Sequence, residues 1–120
     1  MKQTLEIRTE LLSMNEIIAT SKRHWSKYAS PKKRYDAIIA AISKQQLKPV
    51  KNYPVEIHCH WVAPNRRKDP DNLAAGIKFL LDGLVKAKIL RGDGWNDLKE
   101  IRHTFEVDKK NVGVVVTLSY

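Results

Sequence analysis

Residues 54–62, PVEIHCHWV, place Val55, Ile57, Cys59 and Trp61 on one side of an extended chain and Glu56, His58 and His60 on the other. A side-chain period of two over this length predicts a strand with one face in the core and one in water. The strand leads directly into 65–73, NRRKDPDNL, and from there into a periodicity of 3.6: Leu73, Ile77, Leu80, Leu81, Leu84 and the stem of Lys88 share one stripe. That stripe predicts a single long helix packed on the sheet and ending near RGDG, residues 91–94.

The same patterns extend to both termini. Leu5 and Ile7 alternate with polar neighbours and predict a short first strand, followed from about Leu11 by a loop. Ser30-Pro31 reads as a helix start, since Ser can cap and Pro tolerates the first helical position. Tyr35, Ile38, Ile39, Ile42 and Gln46 then keep helical spacing until Lys48-Pro49. Ile101, His103, Phe105 and Val107, and then Val112, Val114, Val116 and Leu118, alternate on either side of DKKN and predict a terminal β-hairpin. The expected fold is one compact α/β domain over residues 1–120, in the order β-α-β-α-β-β, with a mixed sheet of about four strands and two main helices on one face. Gly76, Gly83 and Ala87 fall on one side of the long helix, where their small size suits close packing or a dimer surface.

Twenty-two Lys and Arg against 13 Asp and Glu give a formal charge of +9, which favours a polyanionic partner. No apolar run is long enough to cross a membrane, and MKQTLEIRTE at the amino terminus lacks the apolar core of a signal peptide, so the cytoplasm is the expected location. The lone Cys59 sits on the core side of its strand and reads as a buried, inert thiol. His58 and His60 share the outer face, but two histidines with no third ligand nearby in sequence do not make a zinc site; they read as surface or phosphate-facing residues.

In NRRKDPDNL, Asp69 can cap the helix, with Pro70 first and Asp71 second, so that both carboxylates favour the positive helix end. The alternative is a metal site, since carboxylates that converge repel one another unless a divalent cation such as Mg²⁺ lies between them. Asp71, Lys78 and Asp82 would lie along one side of a continuous helix, and Asp93 in RGDGW could join them only if the sheet order brings its loop back. Arg66, Arg67 and Lys68 stand beside the acidic pair as phosphate contacts. A second basic tract holds Lys22, Arg23, Lys27, Lys32, Lys33 and Arg34, interleaved with His24, Trp25 and Tyr28, the pairing of cations and stacking aromatics that suits nucleic acid. With Lys32, Lys33 and Arg34 in the first helical turn, the cations would oppose the macrodipole unless an anion is drawn there.

Over residues 64–95, and most specifically in RRKDPDNL…IKFLLDGLVKAKILRGDGW, the chain resembles the RusA-type Holliday-junction resolvases, small endonucleases of phages and prophages; MNEIIA near the amino terminus is similar to their asparagine-containing loop. The resemblance implies a crossover-junction endodeoxyribonuclease of DNA recombination and repair. It implies a homodimer that makes paired symmetric nicks in a four-way DNA junction, with Mg²⁺, or Mn²⁺ in its place, and no organic cofactor. It assigns Asp69, Asp71 and Asp93 as metal-holding catalytic carboxylates and Lys78 as a catalytic lysine, and it implies in-line attack of water on phosphorus with a 5′-phosphate product. Two departures are visible: AAG at 74–76 reads as a three-residue insertion ahead of Lys78, and one Asp flanked by glycines stands where relatives carry a pair. Two other readings remain: a non-catalytic, structure-selective DNA-binding protein with DPDN as a helix cap, and a general metal-dependent nuclease of flaps or single strands.

Overall fold

The computed structural model describes residues 1–8 and 25–120, and of residues 25–35 the backbone alone. The elements are β1 (Lys2–Ile7), α1 (Trp25–Gln46), β2 (Val55–Ala63), α2 (Pro70–Ala74), α3 (Ile77–Lys86), β3 (Leu98–Val107) and β4 (Gly113–Ser119). They form one four-stranded mixed sheet in the order β1-β4-β2-β3, as the α/β reading expects.

β2 is the strand on which the fold turns. It pairs antiparallel with β4 on one side and parallel with β3 on the other. Val55, Ile57, Cys59 and Trp61 are buried, and with Leu5, Ile7, Val114, Val116 and Leu118 they make the floor of the core, closed by Ile39, Phe79, Leu80 and Leu84 from the helices. The opposite face carries Glu56, His58 and His60, so the alternation in the sequence did report which side faces water. Burial pushes the Cys59 thiol up to about 12, so it is neutral at physiological pH and unreactive there.

Three expectations are corrected. The terminal hairpin does not form: β3 and β4 flank β2, and residues 108–112 carry the chain across its end, where the Asp108 N–H donates to the Ala63 carbonyl at 2.9 Å. Alternation fixes which face is buried but not which strands are neighbours. Burial explains the observed order, because Val114, Val116 and Leu118 are fully buried and need partners on both sides, whereas β3 carries Lys99, Glu100, Arg102 and Glu106 and tolerates the edge. The turn is tied by Asp108, whose carboxylate accepts from the Lys110 N–H and Asn111 Nδ2 and is held below the usual range mainly by the Asn111 bond.

The first helix is already formed at Trp25, ahead of Ser30-Pro31, so Lys32, Lys33 and Arg34 lie beyond its first turn and the argument from the macrodipole does not apply to them. No glycine interrupts WSKYAS, and the helix runs through Pro31 despite the lost N–H. Lys22 and Arg23, with MNEIIA and the loop from Leu11, lie outside the described residues, and for Lys27, Lys32, Lys33 and Arg34 only the helical backbone is placed.

The long helix is two helices, α2 and α3, joined through Ala75 and Gly76, inside the AAG stretch. Here the N–H groups of Gly76, Lys78 and Phe79 reach three residues back instead of four, which tightens the turn. The cause is the close approach to β2: a Cβ on Gly76 would lie 2.8 Å from the Trp61 ring. On α3, a Cβ on Gly83 would overlap the Ile39 side chain of α1, so the small-residue edge is used for packing within the chain.

α3 ends in a Schellman arrangement, with the Ile89 N–H donating to the Leu84 carbonyl at 3.0 Å and the Lys88 N–H to the Val85 carbonyl at 3.0 Å. Lys88 holds the left-handed position at φ 62°, which costs a residue with a Cβ energy that glycine is spared. Lys88→Gly is therefore expected to stabilise the fold by up to about 1 kcal/mol, raising the melting temperature by a few degrees. An unchanged or lower midpoint in thermal denaturation would contradict the strain argument.

Candidate active site

The acidic pair is built by the exit from β2. After Ala63 the chain turns through Pro64 and Asn65, where Asn65 Oδ1 accepts from the Arg67 N–H at 2.9 Å, and Asp69 takes the backbone position ahead of α2. Asp69 has the extended N-cap conformation, φ −71° and ψ 154°, and its carbonyl accepts from the Asn72 and Leu73 N–H groups. Its carboxylate, however, makes no capping hydrogen bond and is exposed. Asp71 accepts from the Asn72 N–H at 2.9 Å and is also exposed. Capping by the carboxylate thus does not account for Asp69, which leaves hard oxygen donors two residues apart at a helix start, a donor type that suits Mg²⁺.

Beside them is a cleft of about 510 Å³, with Arg66, Lys68 and Asp69 on one wall and Phe105, Glu106 and Val107 of β3 on the other. Arg66 and Arg67 are exposed and Lys68 is half-buried. Asp69 and Glu106 bring carboxylates to this cleft and Arg66 and Lys68 bring cations, whereas Asp71 does not line it.

Two other sequence candidates lie elsewhere. Lys78 is on α3, past the helix break, with Nζ 3.4 Å from Asp82 Oδ1; it does not line the cleft. Asp71 and Lys78 therefore stand on different helices, separated by the tightened turn at Ala75–Gly76. Asp93 lies at the other end of β3, in a second cleft with Leu98 and Ile101. The ten residues of β3 span about 30 Å. Among the described residues, no three His, Cys, Asp or Glu side chains are grouped so as to hold a metal ion.

No protein-family model and no curated protein matches this chain.

Asp97 was not singled out from the sequence, although it lies in the same loop as Asp93. Arg91 Nε donates to Asp97 Oδ1 at 2.7 Å, the Gly94 N–H donates to Oδ2 at 3.1 Å, and these bonds hold the Asp97 carboxyl below its usual range. Arg91 also stacks on Tyr53, 4.1 Å from the ring centre, and its N–H donates to the Tyr53 hydroxyl. The pattern R-x-x-x-x-x-D across a glycine-containing loop is the signal that could have pointed to this clamp.

The histidines form two groups. On the open face, Thr104 Oγ1 lies 2.8 Å from His58 Nε2 and 2.7 Å from His60 Nδ1, and His60 Nε2 lies 2.9 Å from Glu106. On the core side, the Trp61 indole N–H donates to His103 Nδ1 at 2.8 Å, and His103 stacks between Trp61 and Phe105. Burial, then Arg102 and His60, lower the pKa of His58; burial, then His58, lower that of His103. The unfolded chain therefore takes up protons before the folded one as pH falls through the ordinary value of 6.5, and stability is lost with acidification until the folded values are reached. Protonating His103 Nδ1 also removes the acceptor of the Trp61 N–H. The denaturation midpoint is expected to fall between pH 7.5 and 5.5, well above the range where Asp97 and Asp108 lose their contributions, and His58→Gln/His103→Gln should flatten the profile. An unaltered slope in the double variant would remove these two residues from the account.

Proposed function

We propose that the chain is a RusA-type Holliday-junction resolvase, an Mg²⁺-dependent endodeoxyribonuclease that acts as a homodimer on four-way DNA junctions. The observation that carries this reading is the cleft shared by Arg66, Lys68 and Asp69, in which an N-terminal helix residue leaves its carboxylate without a capping bond. Asp69 and Asp71 would hold Mg²⁺, which when bound polarises the phosphate and favours attack by water. Arg66, Arg67 and Lys68 would bind and orient the phosphate backbone. Lys78 could reach the DNA only by leaving Asp82.

The position of Asp93 gives the homodimer a chemical purpose. A two-fold axis beside β3 that sets two copies antiparallel brings the Asp93 end of one against the Asp69 end of the other. β3 is suited to meet a second copy: it is an edge strand, and on the core side its Phe105 and Val107 are 41% and 49% exposed beyond the cover of the helices. In this arrangement each site draws Asp69 and Asp71 from one chain and Asp93 from its partner, and the two related sites serve two strands of a junction. Among the described residues, no helix is long and apolar enough to cross a membrane.

The test is to incubate the protein with a labelled mobile four-way junction and with the matching linear duplex, in Mg²⁺ and in EDTA. Symmetric nicks confined to the junction and to Mg²⁺ are expected. Equal cutting of flaps or single strands would favour the general nuclease, and junction binding without nicks under any divalent ion would leave a DNA-binding protein whose aspartates only shape a helix start.

A further inference from the structure

Trp95 is 99% exposed, although indoles are among the side chains most strongly driven out of water. Its loop is not loose. The Gly94 carbonyl accepts from the N–H groups of both Asp97 and Leu98, at 3.0 and 3.1 Å, closing a turn with Trp95 at its tip. The Arg91–Asp97 ion pair, at 2.7 Å, and the bond from the Gly94 N–H to Asp97 lock the turn from below. Gly92 permits this, since a Cβ there would lie 2.6 Å from the Asp97 carboxylate. The fold thus holds the backbone of Trp95 at the tip of a locked turn with its indole in water, so that only the side-chain rotamer is left to be ordered by whatever stacks on it.

The cleft beneath the indole, about 360 Å³, has Leu98 and Ile101 as apolar wall and Asp93 and Glu100 as acidic wall. Glu100 disfavours a phosphate in this cleft, whereas the apolar surface and the π-face suit an uncharged, planar group. Lys99, at the same cleft, lies 3.5 Å from Glu56 with its side chain 64% exposed, placed to meet the backbone that would carry such a group.

We propose that Trp95 is a stacking platform for a nucleobase left unpaired at the branch point of the DNA, making it a specificity-determining residue beside Asp93. This rests on the reading of the protein as a junction nuclease. A base unstacked at a branch gains on Trp95 what it has lost from its neighbours, whereas a base in a continuous duplex has nothing to gain.

The experiment measures binding in EDTA, where no cutting occurs, to a junction with 2-aminopurine at the branch, to a single strand with 2-aminopurine and to a matched duplex. Wild type, Trp95→Ala and Trp95→Tyr are compared. The wild-type complexes should quench 2-aminopurine. Trp95→Ala should lose the quenching and bind the junction and the single strand roughly fivefold to a hundredfold more weakly, with duplex affinity unchanged, and Trp95→Tyr should retain most of both. The thermal midpoint and the mass by light scattering should not move. Unchanged quenching and affinity in Trp95→Ala, equal weakening on junction and duplex, or a change in mass that marks Trp95 as a contact between copies would each overturn the proposal. Junction nicking with an indifferent Trp95→Ala sinks the stacking and keeps the nuclease. Trp95-dependent quenching on a single strand, with no DNA cut in Mg²⁺, sinks the nuclease and keeps the stacking.

Discussion

Asp71→Asn is expected to lower junction cleavage in Mg²⁺ at least about a thousandfold while leaving junction binding in EDTA nearly unchanged, because several kilocalories per mole of metal-derived stabilisation disappear with the donor. Asparagine keeps the shape of the side chain, and its amide oxygen can still accept the Asn72 N–H, so the local bond at 2.9 Å need not break. What goes is the charge. If Asp71 served only the helix dipole, the cost would be less than about 1 kcal/mol, on a five-residue helix that buries none of its side chains, and cleavage would track the small loss of folded protein. Asp69→Asn should behave alike, since its capping contribution is made by the backbone carbonyl, which the substitution keeps. The pair of measurements is a melting curve and a single-turnover cleavage rate for each variant. A rate within tenfold of wild type for either variant would remove that carboxylate from the chemistry.

How far the sequence foretold this arrangement depends on the kind of information each residue carries. Val55, Ile57, Cys59 and Trp61 announced their common face because a strand has a fixed period and burial acts on every second residue. The order of strands is a different matter: nothing local to Ile101–Val107 and Val112–Leu118 tells that β2 lies between them, since pairing is decided by which strands most need cover. The break at Ala75–Gly76 was not legible in the helical pattern, because the Trp61 ring that packs on Gly76 is distant in sequence. The candidate site divides along the same line. Asp69, Arg66 and Lys68 are neighbours in sequence and share one cleft, whereas Asp93 depends on long-range placement and lies at the far end of β3. Trp95 gave no sign of its exposure, because an indole between Gly94 and Asn96 could equally have turned inward.

That placement of Asp93 leads to the sharpest expectation. Asp71→Asn and Asp93→Asn proteins, each inactive alone, should regain nicking when mixed and allowed to exchange subunits. If a site combines Asp71 of one chain with Asp93 of its partner, a mixed dimer holds one site with both aspartates and one site with neither. Random exchange in an equal mixture makes half the dimers mixed, so about a quarter of the wild-type number of sites is restored. From a background at least about a thousandfold below wild type, this is a rise of more than two orders of magnitude. The products must also differ in kind from those of the wild type. A dimer with one working site cuts one strand of the junction and cannot make the symmetric partner cut, so nicked junctions should accumulate while resolved duplexes stay scarce. If the three aspartates instead met within one chain, through a movement of the 91–97 loop that broke the Arg91–Asp97 clamp, every site in every mixed dimer would lack one carboxylate and mixing would restore nothing. Native gels that resolve nicked from separated products, run on the mixture and on each variant alone, decide between the two, and a flat result with confirmed subunit exchange would place Asp93 outside the site.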